Sequence, residues 1–340
     1  MIDGAAEALR ALDAHDGSRT TYRAPGWLLG GHAQTIWPYV LPRPVVRYRH
    51  ERVDTQDGDF WDFLWVDAPC GAEGARPLIV LLHGLEGGSR SHYARALMAA
   101  VARRGWRGVV PHFRGCGGDP NRLPRAYHSG DFAELDAMLA AIRARVTVET
   151  SIYVVGVSVG GSVLINWLGR MQRDAVHVIT AAAAVSTPLD LTAAGIAIGQ
   201  GFNRLYTHHF LATLRPKSLA MAKRFPGLLD ETRIRQARTM YEFDDAVTAP
   251  LHGFVDGADY WRRASSKPWL VSVAVPTLVL NARNDPFVPE ASLPDSSEVS
   301  RDVLLELPDG GGHAGFLLGP FPGRLDWLPR RLLDFFIHRR

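Results

Sequence analysis

The stretch Tyr153-Val154-Val155-Gly156-Val157-Ser158-Val159-Gly160-Gly161 constrains what this chain can fold into more than any other. A β-branched apolar run enters a Gly-x-Ser-x-Gly turn. Apolar residues at helical spacing, Val163, Leu164, Trp167, Leu168 and Met171, follow at once. The pattern predicts a strand, a sharp turn and a helix. Gly156 and Gly160 remove the Cβ atoms that would collide where strand meets helix, and the turn carries Ser158 beyond the strand end. The Val159 N–H then opens a helix, a position that stabilises an anion. A serine nucleophile needs both: an accessible hydroxyl and donors for the oxyanion it generates. Taken alone, the pattern also fits a serine in an ordinary glycine-rich turn, so the flanking chain has to decide.

Upstream, Val45 to Val53 and Asp59 to Asp67 alternate as two strands around a Gln56-Asp57-Gly58 turn. Pro77 to Leu82 is a continuous apolar run, the mark of a strand buried on both faces. It ends in His83-Gly84-Leu85-Glu86-Gly87-Gly88, ahead of a helical pattern through Ala94, Leu97, Met98 and Val101 that Gly105 stops. With the serine turn in view, Leu85 in this loop is the candidate for a second oxyanion N–H, and a plain strand-to-helix loop is the alternative. Trp106 to Pro111 reads as the next strand. The glycine-rich loop after it carries Arg114, with Arg122 and Arg125 close behind; these fit an anionic head group or, the preferred reading, pairing with nearby acids. Ser129 is the expected N-cap of a helix with Phe132, Leu135, Leu139, Ile142 and Val146 on one face.

Val176 to Val185 is expected to be another buried strand. Strand and helix alternate throughout, which predicts a mostly parallel sheet with helices on both faces and a ligand site at the carboxyl ends of the strands. From about Leu189 to Ser266 that rhythm gives way to a helical stretch, the natural form of a cap. Its Ile196, Ile198, Phe202, Leu205, Tyr206 and Phe210 are candidates for an acyl pocket or, preferred for each singly, for helix packing. Ala274 to Leu280 and Val303 to Leu307 resume the sheet. Asp285 follows the first in a polar turn, and His313 follows the second in Gly310-Gly311-Gly312-His313. Asp190 and Asp309 are rival carboxylates. A helix through Leu325, Leu328, Leu332 and Phe336 closes the chain.

Composition excludes several classes. With 46% hydrophobic and 21% charged residues, the 340-residue chain is neither disordered nor collagen-like. A net charge of +3 without a basic stripe argues against nucleic acid as a partner. Two cysteines, Cys70 and Cys116, make no disulfide framework or metal-ligand spacing, and no metal or cofactor is expected. Met1 to Ala14 reads as an amphipathic helix rather than a signal peptide, and no segment has the apolar length to cross a bilayer; a cytoplasmic protein is expected. In the arm that follows, Gly30-Gly31-His32-Ala33-Gln34-Thr35 brings His32 or Gln34 to a substrate entrance or, preferred, lies in an arm pinned by Trp27, Ile36 and Trp37.

Several of these segments are more specific than the serine turn: Gly31-His32-Ala33-Gln34-Thr35, His83-Gly84-Leu85-Glu86-Gly87, Phe113-Arg114-Gly115-Cys116-Gly117-Gly118, Tyr127-His128-Ser129-Gly130, Phe243-Asp244-Asp245-Ala246-Val247-Thr248-Ala249-Pro250-Leu251-His252-Gly253-Phe254 and Gly312-His313. On them the chain, from about Pro25 onward, resembles the YheT-like branch of the α/β-hydrolases, esterases related to the membrane-anchored abhydrolase-domain phospholipases of animals. The resemblance implies an α/β-hydrolase fold, a mostly parallel central sheet with helices on both faces and a helical cap insertion. Its expected divisions are an arm over 1–44, a core over 45–188 and 267–340, and a cap over 189–266. It further implies Ser158 as nucleophile, Asp285 as acid and His313 as base, in the chain order Ser, Asp, His, with Leu85 and Val159 donating to the oxyanion. The implied substrate is a small acyl ester. No histidine begins a His-x-x-x-x-Asp element, and no hydrophobic anchor like that of the animal relatives precedes the arm. Hydrolysis of an acyl ester is therefore expected ahead of acyl transfer to a lipid, and the missing anchor argues against a membrane phospholipid as substrate; thioesterase or acyltransferase action on the same scaffold, or a non-catalytic scaffold that binds a small ligand, are the alternatives.

Overall fold

The computed structural model describes residues 22–68 and 75–338; the helix expected over residues 1–14 and Cys70 lie outside them. Eight strands form one sheet: β1 (Arg49–Asp54), β2 (Phe60–Val66), β3 (Leu78–Leu82), β4 (Arg107–His112), β5 (Ile152–Val157), β6 (Ala181–Val185), β7 (Thr277–Leu280) and β8 (Val303–Glu306). Their order is β1-β2-β4-β3-β5-β6-β7-β8. The β1–β2 and β2–β4 pairs are antiparallel, and every later pair is parallel. The fully apolar runs took the middle of the sheet, since only there are both faces of a strand covered. β1 has the exposed edge and is polar except for the buried Val53; the short arm helix α1 (Gly30–Ile36) precedes it.

Alternation along each strand divides the core in two. Ile79, Leu81, Tyr153 and Val155 point to one face, packed under α2 (His92–Arg103) and the C-terminal helix Trp327–Ile337. Leu78, Val80, Ile152 and Val154 point to the other, under α3 (Phe132–Arg143) and α4 (Val159–Met171). Between β6 and β7 lie only helices. The longer ones are α5 (Leu191–Ile198), α6 (Arg204–Arg224) and α7 (Gly257–Ala264), and they enclose a separate apolar cluster that includes Leu211, Ile234, Phe243, Val247 and Trp261.

Three local expectations need correction. The run from Val176 is not strand throughout: Gln172–His177 is a 3-10 turn and β6 starts at Ala181. That turn leads the chain out of α4 and leaves Val176 half exposed, a detour that apolar content does not reveal. Ser129 is not the N-cap of α3. Asp131 occupies that position, while the Ser129 N–H donates to the Tyr260 hydroxyl at 3.1 Å. The first strand begins at Arg49 rather than Val45, and Val45 is almost fully exposed.

Candidate active site

Ser158 sits between the last residue of β5 and the first of α4 with φ 56° and ψ −121°, a conformation a side-chain-bearing residue rarely adopts. The turn is held by the Ser158 N–H, which donates to the Val185 carbonyl at 2.9 Å. It is also held by backbone contact: a Cβ on Gly156 would strike the Gly160 carbonyl, and one on Gly160 the Leu82 carbonyl. Strand and helix approach this closely only because both positions are glycine. Val159 is the first residue of α4, so no intrahelical carbonyl claims its N–H.

The loop after β3 runs beside this turn; a Cβ on Gly84 would lie 3.1 Å from that of Ser158. His83 is fully buried and burial pushes its pKa down to about 3, so the ring is neutral. Its Nε2 accepts from the Phe113 N–H at 3.1 Å, leaving Nδ1–H to donate to the Gly84 carbonyl at 2.8 Å. The Gly84 and Glu86 N–H groups donate to the Tyr93 and Tyr127 hydroxyls at 2.9 and 2.7 Å. The loop is thus fixed on both sides of Leu85. Glu86 is further paired with Lys217 of α6 at 2.7 Å.

Leu85 and Val159 share the wall of a cavity of about 280 Å³ that runs beneath α6. Its apolar lining includes Leu214, Met221, Phe243 and Leu251. None of the six residues proposed from sequence lines it. Ile196, Phe202 and Leu205 are half exposed, and Ile198, Tyr206 and Phe210 pack against the cluster of Phe287 and Val288. Helical periodicity marks an apolar face without saying whether a void or a neighbour lies beneath it.

Asp285 and His313 come together. The His313 Nδ1–H donates to Asp285 Oδ2 at 2.8 Å, and Asp285 Oδ1 accepts the Phe287 N–H at 2.8 Å. The carboxylate is buried and the imidazole nearly so, with the Phe287 ring centroid 4.3 Å from that of His313. The histidine loop is tied to the serine turn through β6: Ser158 N–H bonds Val185, and the next residue, Ser186, accepts the Ala314 N–H at 2.9 Å. The rival carboxylates are elsewhere. Asp190 caps α5 by accepting the Ala193 N–H at 3.0 Å, and Asp309 is fully exposed. The arginines are paired with acids, as preferred: Arg114 is buried against Asp59 and Glu134, Arg125 meets Asp131 and Arg122 meets Asp54.

The arm is where sequence reasoning fell short. His32 does face the inserted helices, tilted against the Phe202 ring with centroids 4.6 Å apart and meeting the Tyr206 hydroxyl at 3.2 Å. Gln34 and Thr35, however, are buried, and their side chains reach the loops that carry Asp285 and His313. Two polar residues among the aromatic anchors of a short arm were the available signal.

A sequence profile of the α/β hydrolase fold matches residues 77–320. The chain belongs to the α/β-hydrolases. Within that family it is 36% identical to YheT of Escherichia coli (strain K12), over 89% of each chain. It is 30% identical to Phospholipase ABHD3 of Mus musculus, over 93% of this chain and 78% of that one. These likenesses bear out the YheT-like resemblance. Among solved structures, the esterase Pf2001 of Pyrococcus furiosus superposes with a TM-score of 0.54 at 18% identity, covering 88% of this α/β-hydrolase and 99% of the esterase, which speaks for the fold. Among the described residues, no helix is long and apolar enough to cross a membrane.

Proposed function

We propose that this α/β-hydrolase cleaves carboxylic esters through an acyl-enzyme on Ser158. The observation that carries the reading is the 2.8 Å bond from His313 Nδ1 to a buried Asp285 carboxylate, on a loop anchored to the same strand end as the serine turn. That bond selects the tautomer whose Nε2 lone pair is available to a hydroxyl. His313 accepts the Ser158 proton as Oγ attacks the acyl carbon, and Asp285 stabilises the imidazolium. The Leu85 and Val159 N–H groups receive the oxyanion. Collapse of the tetrahedral intermediate expels the alcohol, which takes the proton from His313. Water then attacks the acyl-enzyme by the same relay and releases the acid. The cavity beside both donors suits an acyl chain, which is apolar and needs burial rather than hydrogen bonds.

Turnover of a p-nitrophenyl ester by purified Ser158→Ala tests this. Loss of the nucleophile should lower kcat by about a million-fold, the scale of such knockouts. Unchanged turnover would end the proposal. A fluorophosphonate, which reacts only with an activated serine, should label the wild type at Ser158. Competition between ester and acyl-CoA substrates then separates ester from thioester cleavage.

A further inference from the structure

We infer that Gln34 and Thr35, on the short arm helix α1 (Gly30–Ile36), are positioning residues that hold the general-base loop and lock it to the acid loop. The inference rests on the Ser158–His313–Asp285 reading. Four consecutive backbone N–H groups, from Gly311 to Ala314, each donate to a different side chain. Gly311 donates to Gln34 Oε1 at 2.7 Å, Gly312 to Asn284 Oδ1 at 3.0 Å, His313 to Thr35 Oγ1 at 2.9 Å and Ala314 to Ser186 Oγ at 2.9 Å. A loop of three glycines and a histidine has little intrinsic reason to keep one shape. Here its shape is imposed from outside, and half of the imposed bonds come from the arm.

Gln34 also reaches the other half of the relay. Gln34 Oε1 accepts from Asn284 Nδ2 at 3.0 Å, and Asn284 is the neighbour of Asp285. Gln34 is in turn held by donating from Nε2 to the Leu28 carbonyl at 2.9 Å, and Thr35 by donating to the Gly31 carbonyl at 2.7 Å. Every polar atom of both side chains therefore has a partner. Main-chain packing agrees: a Cβ on Gly312 would lie 2.8 Å from the Thr35 nitrogen and the Gly31 carbonyl, while one on Gly31 would overlap the Asn284 carbonyl. The arm helix is wedged backbone to backbone between the loops of the acid and the base. Neither Gln34 nor Thr35 needs to touch substrate to set the distance from His313 to Ser158.

Thr35→Val keeps the shape and removes the oxygen; Thr35→Ser keeps the oxygen. Misplacement of a reacting group by about 1 Å costs roughly a hundred-fold in rate, so Thr35→Val should lose about 10- to 100-fold in kcat at nearly constant KM, and Thr35→Ser should recover most of it. The fluorophosphonate labelling rate should fall in parallel. In a His313→Ala background, adding Thr35→Val should change the residual turnover little, because the residue acts through the histidine. If Thr35→Val does not fold, as judged by its melting transition, Gln34→Met is read in the same way. Wild-type kcat in a folded Thr35→Val, a loss confined to KM, or an equal fold-loss without His313 would each overturn the inference while leaving the triad intact. A wild type that the probe does not label would remove the triad reading, and the clamp with it.

Discussion

At the scale of single residues, the identity of the acid is the sharpest question about the proposed relay. Asp285 bonds His313, whereas Asp190 is consumed by the cap of α5. Asp285→Asn should therefore lower kcat by about ten-thousand-fold, since an amide no longer favours the Nδ1–H tautomer that leaves Nε2 free. Asp190→Asn should leave kcat within a few-fold, because asparagine caps a helix about as well as aspartate. Comparing the two variants on one ester decides the matter, and a larger loss at Asp190 would refute the assignment. A second prediction concerns the cavity. Met221 lines it from α6, and Met221→Trp would fill part of its 280 Å³. Turnover of long acyl esters should drop several-fold or more while short-chain esters are spared; equal effects on both would show that the chain lies elsewhere.

At the scale of elements, Arg114 shows how the strand-end loops are fixed. The loop after β4 puts its guanidinium, 4% exposed, between Asp59 of the β1–β2 turn and Glu134 in the first turn of α3. Removing one partner from a buried ionic group leaves the others uncompensated, so Arg114→Met should destabilise the fold by about 3–5 kcal/mol. Denaturant unfolding measures it, and a change below about 1 kcal/mol would mean that water reaches the site. The sequence allowed either an anion site or ion pairing here, and the choice turned on a contact between residues some 55 positions apart. The same distinction explains what was legible. The strand–turn–helix at Ser158 and the buried runs of β3 and β5 are local patterns with a fixed period or spacing, whereas the pairing of Asp285 with His313 is expected only through the family resemblance. The cavity lining, the contacts of Gln34 and Thr35 and the start of β6 depend on which distant segment comes to lie opposite. No periodicity within a segment carries that information.

At the scale of the whole molecule, the buried histidines predict how the fold responds to acid. Burial holds His83 at about 3 and His92, His112 and His252 at about 4, and it holds His128 well below the usual value. Several must be neutral to serve as acceptors: His83 for the Phe113 N–H, His112 for the Ser89 N–H and His128 for the Gly130 N–H. In the unfolded chain each titrates near 6.5. Between about pH 6.5 and 4 the unfolded state therefore binds protons that the native state refuses, and stability falls as pH falls. Asp131 and Asp244 oppose this, since burial raises both to about 6 and the native state takes up their protons first. Each group contributes at most about 1.4 kcal/mol per pH unit, so five histidines outweigh two carboxyls around pH 5. Chemical denaturation at pH 7.5 and pH 5 should show a loss on the order of several kcal/mol. His252→Gln, which removes one such group, should flatten the slope by up to about 1.4 kcal/mol per unit. A stability that is level or rising toward pH 5 would mean that these rings are already solvated in the native protein.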